Sequence, residues 1–395
     1  MKVINQIAAV TALNVRNLPQ RLGGSLVAIV GVAAVVLVFA AVLSMAAGFE
    51  RTMVSAGSED TAIVMRAGAT AELNSGLGND DVQIVRNAPG VLRDGDEPVV
   101  SPELYVVVDI VKKSTGDDAN VPLRGVGSGA FDVRSGVEIV AGRMFEEGRN
   151  ELIVGRAAQQ EFAGLDVGGE IRFGQTTWNV VGVFAANGSV SESELWTDVR
   201  VLQTMYRRGN SVQSVRVRLE SPGALETLGT ALAEDPRIEV DVRSERDYYA
   251  SQAAPLSQFI RIVGYPLTVL MAIGAVFGAL NSMYASVSVR GKEIATLRAL
   301  GFGPLPVLVS TIVESTLLAL VGGLAGGALA YVAFNGFRVS TLNGASFSQV
   351  VFDFAVTPEL LSQGLVAALI IGLVGGFFPA LRAARLPVAQ ALREL

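Results

Sequence analysis

The chain has 395 residues, half of them apolar and only 17% charged, and its mean hydropathy is +0.45. It has no cysteine and no histidine, which excludes disulfides, thiol nucleophiles, Cys or His metal sites and the commonest general base. The formal charge of −6 is unevenly spread: residues 50–257 hold 20 Lys and Arg against 32 Asp and Glu, the remainder 11 against 5. An acidic soluble part on a basic apolar part reads as a membrane protein, and the acidic part has the wrong sign for nucleic-acid phosphates.

In chain order, residues 1–24 carry Val3, Ile4, Ile7, Val10 and Leu13 at helical spacing, an amphipathic helix suited to the inner membrane surface. Residues 25–49 hold a run without charge up to Phe49, longer than the apolar core of a cleaved signal. They form an expected first span with a cytoplasmic N-terminus. Residues 50–257 form an expected extracytoplasmic α+β domain. Stretches 61–65, 104–108 and 215–219 alternate as strands, whereas 80–87, 156–162, 198–206 and 224–234 read as helices. Pro222-Gly223 and Asp235-Pro236 bracket the last helix. Residues 168–173 and 178–183 read as a hairpin across 174–177. The pattern suggests a split domain, its outer part near both membrane helices and a β-rich subdomain inserted at about 99–210.

Further spans are expected at 262–288, 304–334 and 359–378, with an outer loop at 335–358 and a cytoplasmic tail at 379–395. Tyr248, Tyr249 and Tyr265 are candidate interface aromatics. With four spans, Lys2, Arg16, Arg21, Arg290, Lys292, Arg298, Arg382, Arg385 and Arg393 all fall on the cytoplasmic side, as the positive-inside rule asks.

Residues 289–303 form the expected cytoplasmic segment between the second and third spans. Within it Arg290, Lys292, Glu293 and Arg298 alternate with Ile294, Leu297 and Leu300, and Gly301 follows. An ordinary basic loop and a force-receiving helix both fit this pattern. Arg290-Gly291-Lys292 lacks the upstream glycine of a phosphate loop, and Glu293 replaces its Ser/Thr. Glycines recur four apart at Gly274 and Gly278, Gly322 and Gly326, Gly323 and Gly327, and Gly372 and Gly376. That spacing permits close helix packing, within a bundle or between copies. Glu314 is the one acid placed inside a span. It could serve a proton-coupled carrier, or form a pair with Arg298 or Lys292. The clusters Glu59-Asp60, Asp80-Asp81, Asp94-Asp96-Glu97, Asp117-Asp118 and Glu146-Glu147 lack calcium-loop spacing and read as solvated faces and turns. No nucleophile motif is present.

The chain resembles the ABC transporter permeases that include the cell-division permease FtsX, the macrolide exporter MacB and the lipoprotein-release permeases. The likeness rests on Ala12-Leu13-Asn14-Val15-Arg16-Asn17-Leu18 before the first span and on Ala88-Pro89-Gly90-Val91. It rests also on Ala141-Gly142-Arg143-Met144-Phe145, Glu151-Leu152-Ile153-Val154-Gly155 and the tail ending in Ala391-Leu392-Arg393. Most specific is Arg290 to Gly301, which resembles the family's R-x-x-E-I-A-x-L-R-A-L-G segment.

The resemblance implies a dimeric mechanotransmission permease, homodimer or with a paralogue, that is not itself an enzyme. It implies a separate ABC ATPase dimer that binds ATP and Mg, with no cofactor in this chain. Arg290, Lys292, Glu293, Ile294, Leu297, Arg298, Leu300 and Gly301 would be the coupling surface. A periplasmic adaptor and an outer-membrane channel are implied further partners, and the inner membrane is the implied location. Export or extraction of an amphiphilic cargo is the favoured task. A non-transporting transmitter that regulates a cell-wall hydrolase is the alternative.

Overall fold

The computed structural model describes residues 2–17 and 22–387. Helices α1 (Lys2–Asn17) and α2 (Leu22–Val54) open the chain. Then follow β1 (Thr61–Arg66), α3 (Asn79–Arg86), β2 (Arg93–Asp94), β3 (Glu97–Pro98), β4 (Val100–Val111), β5 (Asp118–Val126) and α4 (Ala130–Val133). Next come β6 (Glu138–Gly142), β7 (Glu151–Gly155), α5 (Arg156–Glu161), β8 (Glu170–Phe173), β9 (Thr176–Ala185) and β10 (Leu195–Asp198). After α6 (Val199–Met205), β11 (Ser214–Arg218), α7 (Ala224–Glu234) and β12 (Val240–Ser244), the chain enters α8 (Glu245–Val289) and α9 (Gly291–Ala299). It closes with α10 (Pro304–Phe334), β13 (Arg338–Asn343), β14 (Ser348–Asp353) and α11 (Pro358–Ala384).

The contacts divide the chain into two units. A sheet unit comprises Gly48–Gln258 and Arg338–Asp353, and a helical unit comprises Met1–Ala47, Phe259–Phe337 and Phe354–Leu395.

In the sheet unit the strand order is β12-β1-β11-β4-β5-β10-β7-β9-β6, with β8 on β9. Strand β1 is Thr-Ala-Ile-Val-Met-Arg, and its first five residues are buried on both faces, as a central β-branched strand should be. One core lies between β1, β11, α3 and α7 and contains Val64, Val85, Val217 and Leu228. A second contains Leu123, Leu152, Phe162, Trp178 and Leu195. Each such side chain contributes about 1.5–3 kcal/mol on burial. The first core is assembled from segments adjoining α2 and α8, the second from the chain between them. The two halves share β4: Val100–Glu103 pair with β11, and Leu104–Val111 pair with β5. The inner half therefore begins inside a strand rather than at a linker.

Three local features differ from the sequence reading. The β8–β9 turn is two residues, Gly174-Gln175, because Phe173 already faces Thr176. Gly174 takes φ +58, the left-handed first position that a type II′ hairpin demands. The polar stretch ahead of the second span is helical from Glu245, so α8 runs without a break from the sheet unit into the helical one. The outer loop at 335–358 contains a hairpin, β13–β14, that belongs to the sheet unit. Tyr105 Oη and Ser348 Oγ are 2.9 Å apart, Lys112 Nζ donates to Ser340 Oγ at 2.9 Å, and Val351 N donates to Ser193 Oγ at 3.0 Å.

In the helical unit α2, α8, α10 and α11 are each long and apolar enough to cross a membrane. Val32, Val35 and Val36 of α2 pack with Ala319 of α10 and with Ala368 and Ile371 of α11. Helix α8 is the least covered, with 17% of its most apolar window buried against 39–44% in the other three. It exposes Phe259, Ile262, Leu270 and Phe277.

Candidate functional site

Helix α9 is mounted by its charges rather than lying loose between two spans. Arg290 sits at the α8–α9 junction, only 5% exposed. Its Nη1 donates to Glu314 Oε2 of α10 at 2.5 Å, and its Nη2 donates to Asn14 Oδ1 of α1. Glu314 therefore pairs with Arg290, not with Arg298 or Lys292. Arg298 donates to the backbone carbonyls of Ala384 (3.1 Å) and Leu386 (2.7 Å), satisfying acceptors at the end of α11. Ile294 is buried with Val287, Val307 and Ala383. Arg290, Ile294 and Arg298 are four apart, so they share one face, and that face points inward.

The outward face carries Lys292, Glu293, Thr296 and Leu300, the last 73% exposed, with Leu297 half-buried. Gly301 ends the helix. Its N–H bonds to Arg298 O and that of Phe302 to Leu297 O, the two bonds of a Schellman cap, with Gly301 at φ +93. Three of the eight expected coupling residues thus hold α9 in place, and Gly301 stops it. Arg21, Arg393 and the 391–393 motif lie outside the described residues.

The glycine pairs separate similarly. A Cβ on Gly322 would stand 2.6 Å from Ile29 O of α2, and one on Gly326 would strike the Ala33 carbonyl. Gly323 and Gly372 meet Ala368 and Ala319, Gly327 meets Leu361, and Gly376 meets Ser315. Gly274 and Gly278 have nothing within 4 Å. Gly322→Val should therefore cost about 1–3 kcal/mol by overpacking. Gly278→Val should leave the helical unit unchanged, and thermal denaturation in detergent would separate the two.

The sheet unit contains a second constellation, which the sequence reading did not find. Glu72, Glu103, Glu194 and Glu245 are buried with Arg124, Arg134 and Arg216. Arg124 reaches Glu72 at 2.7 Å, Glu194 at 2.7 Å and Glu103 at 2.9 Å. Arg134 grips Glu103 with both nitrogens at 2.6 and 2.7 Å. Arg216 stands 3.2 Å from both Glu103 and Glu245. Arg134 also lies over the Trp196 ring, 4.9 Å from its centroid.

Burial raises the carboxyl pKa of Glu72, but Arg124 and Arg216 outweigh it and bring it to about 2. The same contest, won by Arg134, Arg216 and Arg124, holds Glu103 well below the usual range. At Glu245 burial prevails over Arg216 and Arg134, and the pKa is raised. The adjoining cavity, about 30 Å³, has room for about one water. Such a closed, paired cluster fastens elements together. Glu245 begins α8, and one turn on Tyr249 Oη accepts from Arg216 at 3.0 Å, while Tyr248 Oη accepts from Glu72 N at 3.3 Å. These two tyrosines are buried fasteners rather than interface aromatics.

A family model for the MacB-like periplasmic core domain matches residues 25–235, and one for the FtsX-like permease C-terminal matches residues 267–388. The chain belongs to the MacB/FtsX-like permease family. As a family member it is an inner-membrane, transporter-type permease of the ABC class with a MacB-like periplasmic domain between its first and second spans.

Among curated relatives, "Macrolide export ATP-binding/permease protein MacB" of Agrobacterium fabrum is 28% identical over 98% of this chain and 59% of its own length. The protein of that name from Bdellovibrio bacteriovorus is 28% identical over 92% and 58%. That from Escherichia coli is 27% identical over 80% and 51%. The chain spans about half the length of the curated MacB relatives it matches. Among solved structures, the periplasmic region of MacB from Actinobacillus actinomycetemcomitans aligns with TM-score 0.37 and 16% identity, covering 49% of this chain and 92% of that one. The extracellular domain of the transporter YknZ aligns with TM-score 0.35 and 17% identity, covering 47% and 100%.

Proposed function

We propose that this MacB/FtsX-like permease is the membrane half of an ATP-driven machine. A separate ABC ATPase dimer binds ATP and Mg and closes against α9 at the cytoplasmic face. The permease itself performs no catalysis. Both termini are cytoplasmic, which places α1, α9 and the end of α11 beside the ATPase. A second permease copy packs on the exposed apolar face of α8. The motion passes along α8 to the periplasmic domain, where the Arg216–Glu245 pair and the two tyrosines fasten the helix to the sheet. Export or extraction of an amphiphilic cargo, with a periplasmic adaptor and an outer-membrane channel, is the task that suits a MacB-like domain.

The observation that carries this reading is the mounting of α9. A loose basic loop has no use for a buried Arg290–Glu314 pair, an inward Ile294, an Arg298 clamp on α11 and a Schellman stop. A helix that must receive force does. The same pair supports the transmitter over an ion-coupled carrier, because Glu314 already has a cationic partner.

Affinity purification from native membranes tests it: an ABC ATPase should be recovered in equal amount, and its absence would defeat the proposal. Capture of a cell-wall hydrolase in place of an adaptor would instead favour the regulatory alternative. In the same preparation Leu300→Glu should lower the recovered ATPase about tenfold or more, since a carboxylate set into an apolar contact costs more than about 1.4 kcal/mol. Leu300 is exposed in this chain, so its thermal denaturation should not move.

A further inference from the structure

Helix α1 is tied to the α9 region at two points. Gln6 Nε2 donates to Gly301 O at 3.5 Å, and Asn14 accepts from Arg290. Between these ties α1 and α10 leave an open groove of about 990 Å³. Ile4, Ile7, Ala8, Thr11 and Ala12 of α1 line it with Val313 of α10, and Arg16 lines one end. The groove is apolar apart from Thr11 and is cationic at that end. Helix α1 contains no acidic residue, and among the described residues Arg16 has no acidic partner.

We propose that this groove holds one anionic phospholipid of the membrane, its acyl chain along Ile4, Ile7 and Ala12 and its phosphate on Arg16. The groove belongs to the membrane-spanning unit, where lipid is the solvent. A second protein segment would need its own apolar stripe and an acid to meet Arg16; an anionic phospholipid brings both in one molecule. An acyl chain gains little by leaving other acyl chains, so selectivity rests on the headgroup. One arginine near the membrane surface contributes about 1 kcal/mol toward an anionic lipid, about a five-fold preference over a zwitterionic one. The site is separate from the outward face of α9, so its occupancy does not depend on the ATPase reading.

The full chain, purified in detergent and exposed to equal phosphatidylglycerol and phosphatidylethanolamine, can be examined by native mass spectrometry. One retained phosphatidylglycerol per chain, favoured about five-fold, is the expected result. Arg16→Gln should abolish the preference and Arg16→Lys should keep it. Ala8→Trp, which fills the groove, should abolish retention, whereas Arg385→Gln, a surface control, should change nothing. Unchanged thermal denaturation of Arg16→Gln and Arg16→Lys in detergent, together with a single size-exclusion peak, establishes that the proteins compared are folded. Equal retention of the two lipids by the wild type would overturn the proposal, as would undiminished preference in Arg16→Gln.

Discussion

Glu103→Ala is expected to destabilise the periplasmic domain by about 3–5 kcal/mol. The carboxylate is fully buried and holds Arg134, Arg124 and Arg216. Its removal leaves the buried Arg134 without its carboxylate and takes one partner from Arg124 and Arg216, and that cost exceeds anything the lost pairs contributed. The measurement is direct, because the chain has two tryptophans and both, Trp178 and Trp196, are buried in this domain. Intrinsic fluorescence of the whole chain in detergent therefore follows the domain alone as urea rises. A change below about 1 kcal/mol would show that the cluster is not what fastens the sheet.

The pH dependence has two limbs of opposite sign. The depressed values of Glu72 and Glu103 mean that their stabilisation is present above the ordinary carboxylate range and is lost as pH falls, for Glu72 toward about 2. The raised value of Glu245 acts oppositely: its contribution is complete below the ordinary carboxylate value and is lost as pH rises through the folded one. Glu245→Gln should remove the second limb and leave the first.

The spans, the position of α9 and the strands β1, β4 and β11 were legible because each is a local pattern of apolar residues, although β1 and β11 are buried on both faces rather than alternating. The direction of individual charges was not. Arg290 and Arg298 looked like solvent-facing charges because their partners, Glu314, Asn14 and the Ala384 and Leu386 carbonyls, are remote in sequence. Their four-residue offset from Ile294 was the available signal. In the periplasmic domain the acidic pairs drew notice, yet they sit at exposed or half-buried positions, Asp80 and Asp81 at the start of α3 and the others in turns or at strand ends. The buried carboxylates are single ones, such as Glu103 in Val-Ser-Pro-Glu-Leu-Tyr-Val. A lone charge inside a run of strand residues is costly to bury, and it persists there only if other strands supply the opposite charge. The hairpin β13–β14 had its own sign in Asn343-Gly344 between alternating stretches, a turn signal masked by the shortness of the loop.

Arg290→Met alone and Glu314→Leu alone should each destabilise the helical unit by about 3–5 kcal/mol, and the two together by much less. Arg290→Met strands the buried Glu314, and Glu314→Leu leaves the buried Arg290 with Asn14 and the half-exposed Glu293 at 3.5 Å in place of its close buried partner. The double change replaces the pair with apolar side chains of similar bulk, an exchange that is often close to neutral. Asn14 loses a partner in both Arg290→Met and the double variant, so it does not account for the rescue. Thermal denaturation in detergent gives the stabilities, and recovered ATPase gives the consequence for α9. If the pair is the mount of α9, ATPase recovery falls in both single variants and returns in the double variant along with stability. If Glu314 instead carried protons, the double variant would be stable and inactive under a proton gradient. Restored stability with restored ATPase attachment is the result expected of a chain whose intramembrane acid serves to hold a lever still.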